Sequence, residues 1–217
     1  MEERGYYREK LRILLIFYFL SDEIEGTSKL YPEYLKVFKS EVKIQKIDFL
    51  IRYPDYLAYE LLNLVGEKGY CKDQIQRHVK SIFNSNEPEL RREDMLRYFF
   101  GAYEEIDHII LFLVTVGFVK FESRRSVTGK VFDKLYFLSG FGINKVEKEI
   151  LPNIQQAKWY EERLLLIKKY FGNLSGTELK IKQYEYDQYR TTPINQYIKG
   201  IQQEVKEKYF QLFEEEL

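Results

Sequence analysis

Two histidines, one cysteine and a few paired carboxylates are the residues of this 217-residue chain whose types suit catalysis or metal binding. His108 follows Asp107, and a histidine held by a carboxylate is the usual support of a metal ligand. Adjacent helical residues point about a third of a turn apart, and no second ligand follows four positions on, so His108 is read as a surface or half-buried structural residue. His78 lies among Lys72, Arg77 and Lys80 and reads as solvated. Cys71 has no second cysteine for a disulfide or a Cys-rich metal site and is expected to be a small, half-buried residue. Glu104-Glu105 and Glu161-Glu162 could share acid–base work only with partners that spacing does not supply, and they read as solvated helix faces. Gly140-Phe141-Gly142 is explained by a turn, and no glycine-rich phosphate loop or serine nucleophile elbow is present. The expectation is a protein that is not an enzyme, with no catalytic residue, cofactor or metal.

The one patch with a functional case is basic. Lys120, Arg124, Arg125, Lys130 and Lys134 stand against Glu122 and Asp133 in the stretch 118–138. Phosphate contacts are made by such side chains without regard to sequence. The patch is open to three readings: a charged hairpin that keeps the chain soluble, a contact to DNA backbone, or a contact to an acidic protein surface. The segment before it, Ile106 to Gly117, begins acidic and lacks the Arg, Asn or Gln that read bases.

These residues are positioned by an element order. Ile106, Ile109, Ile110, Leu113 and Val114 recur at helical spacing, and Gly117 is suited to end that helix with positive φ. Phe118–Phe121 and Val131–Leu138 are aromatic and β-branched runs, joined by a polar connector containing Gly129, and a helix is expected over Gly140–Ile150. Helix, hairpin with a long basic loop, and helix is the order of a winged helix. Upstream, Leu11 to Leu20 is almost continuously apolar, as in a helix buried on most sides or covered by a partner. Leu11, Leu14, Phe17 and Phe19 are its expected protein-docking residues. Ser21 to Leu30 reads as a loop, and Tyr31 to Phe38 is ambiguous, with Pro32 suited to a first helical turn.

Helices are expected over Val42–Arg52, Asp55–Val65 and around Ile75, Val79 and Ile82, with Pro54 breaking the first from the second and Gly66 and Gly69 closing the second. Asn84 to Pro88 is a turn, and Leu90 to Phe100 is read as a helix with Met95, Leu96, Phe99 and Phe100 inward. Gln155 to Phe171 is a helix ended by Gly172-Asn173, and Ser175 with Glu178 forms a capping box for the next. Thr192-Pro193 is read as cap and first residue of a last helix carrying Ile194, Ile198, Ile201, Val205 and Leu212 on one stripe. Glu214 to Glu216 reads as a charged tail.

Composition narrows the class. The 34 basic and 34 acidic residues cancel, which removes the global field of a protein held mainly by phosphates. Nineteen Tyr and 16 Phe are a surplus that points to interfaces, because a tyrosine ring serves where one end stays wet. The longest apolar run is about half a bilayer span and lacks a signal-peptide cleavage site, so a cytoplasmic location and no membrane contact are expected.

The stretch Lys43 to Leu61, including Ile51-Arg52-Tyr53-Pro54-Asp55-Tyr56-Leu57, resembles the middle component of bacterial ABC-three-component systems, the small subunit of Lamassu-type anti-phage and anti-plasmid defence. Tyr136-Phe137-Leu138-Ser139 and Arg163 to Tyr197, with Gly176-Thr177-Glu178-Leu179-Lys180 and Thr192-Pro193-Ile194, carry the rest of the likeness. The motifs are structural and bring no catalytic residue with them. The resemblance implies a non-catalytic adaptor that bridges an SMC-like ATPase and an effector, often a nuclease. By analogy with kleisin and winged-helix partners of SMC proteins, it implies binding near the ATPase heads, with non-specific DNA contact through the complex. The alternative is a winged-helix DNA-binding transcriptional regulator. The expected fold is mainly α with a small β-hairpin wing. Residues 1–40 form an N-terminal docking segment, 41–152 a winged-helix core and 153–217 a C-terminal helical region.

Overall fold

The computed structural model describes residues 2–24, 33–98, 101–102, 105–125, 127–128 and 131–217. In chain order the elements are α1 (Glu2–Leu20), β1 (Asp22–Glu23), β2 (Tyr34–Lys39), α2 (Glu41–Arg52), α3 (Pro54–Asn63), α4 (Lys72–Asn84), α5 (Glu87–Leu90), β3 (Arg97–Tyr98) and β4 (Gly101–Ala102). There follow α6 (Asp107–Thr115), β5 (Val119–Arg125), β6 (Val131–Ser139), α7 (Gly140–Lys145), a π turn over Val146–Ile150, and α8 (Leu151–Asn153). The chain continues with α9 (Gln155–Phe171), α10 (Gly176–Tyr184), α11 (Asp187–Thr191) and α12 (Gln202–Phe213). Among the described residues the protein is mainly helical, with one four-stranded antiparallel sheet ordered β1-β2-β6-β5 and a separate β3-β4 pair. Among the described residues no helix is long and apolar enough to cross a membrane.

Contacts divide the chain into two units, Met1–Asp48 with Glu105–Lys180 and Phe49–Glu104 with Ile181–Leu217. Each joins stretches far apart in sequence, whereas the sequence reading draws three consecutive segments. Element order along a chain is blind to which distant stretches pack together.

In the first unit α1 is the central element, packing on α9, α6 and the sheet strands β2 and β6. Phe17 stacks on Tyr136 at 5.1 Å and meets Phe38 edge-on at 5.6 Å, the two rings being register partners on β6 and β2. Two local signals shape the hairpin end. Gly117, at φ 75°, closes α6: its N–H bonds Val114 O and the Phe118 N–H reaches back to Leu113 O at 2.9 Å. This is the glycine-terminated helix end that the sequence predicts. Ser139 then caps α7, its hydroxyl accepting from Gly142 N at 2.9 Å and donating to Gly117 O at 2.7 Å, so one side chain ties the end of α6 to the start of α7. The helix continuing from α7 widens to a π turn just before Pro152, whose missing N–H interrupts the i→i−4 ladder. The capping box at α10 forms as expected, Glu178 N to Ser175 Oγ at 3.2 Å and Ser175 N to Glu178 Oε2 at 2.7 Å.

In the second unit Pro54 sits in the first turn of α3 after an extended Tyr53, and Gly66 and Gly69, both at positive φ, follow the helix end. α3 packs against α4 and α12, with Ile75, Val79 and Ile82 of α4 and Val205 and Tyr209 of α12 buried. Two expectations fail here, and one open reading is resolved in the sheet. Residues 91–98 are not helical: Leu96 bridges to Tyr197, and Arg97 N–H donates to Gln196 O at 2.9 Å. Phe99 and Phe100 lie outside the described residues. Thr192 does not cap the last helix, because residues 193–201 run irregularly along Met95–Arg97 and α12 begins at Gln202. The ambiguous Tyr31–Phe38 stretch yields β2, a strand paired to β6; Pro32 lies outside the described residues.

Candidate functional site: protein-docking surfaces

The apolar N-terminal helix is not an open docking face. Leu14, Phe17 and Phe19 are buried and Leu11 is half-buried, all within the contacts α1 makes to its own unit. This corrects the expectation that Leu14, Phe17 and Phe19 meet a partner, while Leu11 keeps part of its surface exposed. An all-round apolar helix is equally the signature of a central core helix, and the sheet and α9 supply the cover.

Half of the tyrosines whose side chains are described, eight of sixteen, are interior as well. Tyr53, Tyr56 and Tyr189 are fully buried around Phe49, with ring centroids 4.6, 4.9 and 5.3 Å from it, and Tyr186 joins at 5.3 Å from Tyr56. Their hydroxyls serve backbone that has no ladder of its own. Tyr53 OH donates to Ile198 O and accepts from Met95 N, Tyr56 OH donates to Lys199 O, and Tyr189 OH accepts from Ala102 N. Asp55 completes the set, its carboxylate accepting from Ile201 N at 2.6 Å and Tyr56 N at 3.0 Å. Burial raises the Asp55 pKa, against the pull of those backbone donors and of Arg92. Burial likewise pushes Tyr53 up to about 12, so the phenol stays protonated and able to donate.

The basic hairpin is partly neutralised from within. Lys120 pairs with Glu122 at 2.9 Å. Lys134 pairs with Glu41 of α2, which also accepts from Tyr136 OH at 3.2 Å. Arg124 stands opposite Asp133 in the β5–β6 register, and a register shift separates it from Arg125. The side chains of Arg124 and Arg125 and the whole of Lys130 lie outside the described residues, as does Glu104. Glu41 lies 79 positions before Lys120 in the sequence, so a charge count confined to the hairpin misses it.

Exposed apolar side chains are spread over both units, and one set on each unit lies close together along its elements. On the first, Leu111 is 67% exposed and Val114 shares its side of α6. Phe141, 53% exposed, lies 5.6 Å from the Phe118 ring that follows α6. The backbone there is closely packed: a side chain at Gly142 would place its Cβ 2.9 Å from Phe118 O. On the second unit, Tyr98, Ile194 and Tyr197 are exposed along the paired segments 96–98 and 193–197. Sequence reading assigned none of these residues to a surface. The available signal was the unbroken apolar run Ile109–Val114, since a helix with one buried face must leave part of such a run outside.

His108 is exposed, 3.8 Å from Glu9, and Cys71 is exposed rather than half-buried. Glu215 of the acidic tail is held by Lys80 at 2.8 Å and Gln76 at 3.1 Å, a more specific anchor than a solvated tail implies. Among the described residues no group of three or more His, Cys, Asp or Glu is placed to hold a metal ion. Comparison with family models, curated proteins and solved structures finds no match.

Proposed function

We propose that this chain is a non-catalytic adaptor subunit of a bacterial anti-phage or anti-plasmid defence complex, working in the cytoplasm to bridge an SMC-like ATPase and an effector nuclease. The observation that carries the bridging role is the pair of exposed apolar groups, Leu111, Val114 and Phe141 on one unit and Tyr98, Ile194 and Tyr197 on the other. A subunit that links two proteins needs two such surfaces, and aromatic anchors dominate interface energetics. The identity of the complex rests on the resemblance carried by Lys43 to Leu61, Tyr136 to Ser139 and Arg163 to Tyr197.

We further read the first unit as a winged helix. Support comes from the chain order α1, β2, α2, α6, β5, β6, with β6 lying between β2 and β5 in the sheet. In this reading the Phe49–Glu104 part of the second unit is inserted between α2 and α6. That order also suits a DNA-binding regulator. Against it, α6 has no Arg, Lys, Asn or Gln, and its exposed positions include Asp107, Leu111 and Val114.

Co-expression with the ATPase and the nuclease tests the proposal. The expected result is a complex of all three that separates into unlinked ATPase and nuclease when this chain is omitted. Failure of this chain to bind either partner overturns it. Selective binding of one DNA sequence, on the order of a thousandfold over random duplex, establishes the regulator instead.

A further inference from the structure

We infer that the outer face of α6, with Phe141 beside it, is the seat of an amphipathic partner helix that has an apolar stripe and Lys or Arg at one end. The inference rests on the adaptor reading and specifies one of its two contacts.

The geometry of the surface suits such a ligand. Leu111 and Val114 stand three residues apart on one side of a nine-residue helix, the spacing at which helices present a row to a neighbour. Beyond the end of α6, Phe118 reaches back to Leu113 O and lies 5.6 Å from the exposed Phe141 ring, and the backbone at Phe141 is fixed by the Ser139 cap and by the close approach of Gly142 to Phe118. Leu111 and Val114 thus form an apolar row between exposed Asp107 and His108 at the start of α6 and Thr115 at its end, on backbone held in place at both sides, which reduces the ordering lost on binding.

Its two ends differ in charge. At the start of α6, Glu105 and Asp107 are exposed, and Glu9 of α1 lies close by, 3.8 Å from His108. At the other end Lys145 lies 5.6 Å from the Phe141 ring and is engaged by Glu149 through an i,i+4 pair. The basic end is thus balanced inside the chain, while the opposite end presents carboxylates to solvent. Carboxylates at a helix start also favour the helix itself. Beside an exposed apolar row they additionally select a partner with positive charge at that end. The same charge disfavours DNA.

The test uses the full chain in complex with the ATPase and the nuclease. The wild type is expected to be monomeric alone by light scattering and to bind both proteins. Leu111→Glu with Val114→Glu is expected to lose one of the two, with at least about a tenfold weaker interaction. Asp107→Lys with Glu105→Lys is expected to weaken the same contact and to flatten its salt dependence. Leu165→Glu, at an exposed position on α9, keeps both partners, and an unchanged melting curve for each variant shows that folding is intact. A wild type that binds both proteins while the α6 variants bind them equally well overturns this inference and leaves the adaptor reading standing. A wild type that binds neither overturns both. A wild-type dimer dissolved by Leu111→Glu, or DNA binding abolished by it, gives the face to another occupant and overturns the inference.

Discussion

Arg12 of α1 and Asp48 of α2 form an ion pair inside the first unit, with side chains only 1% and 2% exposed. Taking two charges out of water is costly and is offset only while both are present. Asp48→Ala is therefore expected to destabilise the chain by about 3–5 kcal/mol. Replacing both residues with Met or Leu is expected to cost less than either single change. Urea unfolding of the two singles and the double decides the point, and strict additivity contradicts it.

Phe17 carries a second expectation. Its ring is enclosed by Tyr136 and Phe38, so Phe17→Ala leaves a cavity and should cost about 3–5 kcal/mol in the isolated chain. A docking anchor at the same position predicts an unchanged melting curve and a weakened complex. Calorimetry on the chain alone separates the two.

Asp55 is expected to hold the irregular segment around Ile201 in place. Asp55→Ala leaves the buried amides of Ile201 and Tyr56 without their acceptor, a loss of about 1–3 kcal/mol per group. Hydrogen exchange should accelerate first at Ile201. Uniform acceleration across both units would contradict a local clasp.

Glu60 of α3 gives a pH dependence. Its carboxylate is buried, with Lys182 at 3.6 Å, and burial raises its pKa against the pull of Tyr186 and Lys182. A carboxyl whose folded pKa lies above its unfolded value binds more protons in the folded state. Its contribution to stability is present below the unfolded value near 4.5 and is lost as pH rises through the raised folded value. Glu60→Gln should therefore be more stable than the wild type at neutral pH, with the gap closing toward pH 4. Melting temperatures across that range check the sign, and a gap that widens on acidification contradicts it.

The elements that could be read from the sequence are those settled within a few residues. Pro54, Gly117 and the Ser175–Glu178 box act on their own neighbours, and each marks a boundary the structure keeps. The elements misread depend on partners far along the chain. Residues 95–97 and 195–198 each carry a helical apolar pattern, yet their backbones pair with one another across a hundred positions. β2 likewise becomes a strand because β6 offers it an edge. For the surfaces, the apolar run of α6 was visible, but which of its residues face outward depends on how α1 and β5 cover it. The same limit made α1 look like a docking helix.

The place of α1 at the centre of its unit has a consequence during synthesis. The strands β5 and β6 and the helix α9 that cover it are translated more than ninety residues after it. At about 5–20 residues per second, this greasy segment waits on the ribosome for on the order of ten seconds before its shelter exists. Nascent chains of this protein should therefore engage cellular chaperones through Ile13 to Leu20, and that engagement should end once residues 155–171 have cleared the exit tunnel.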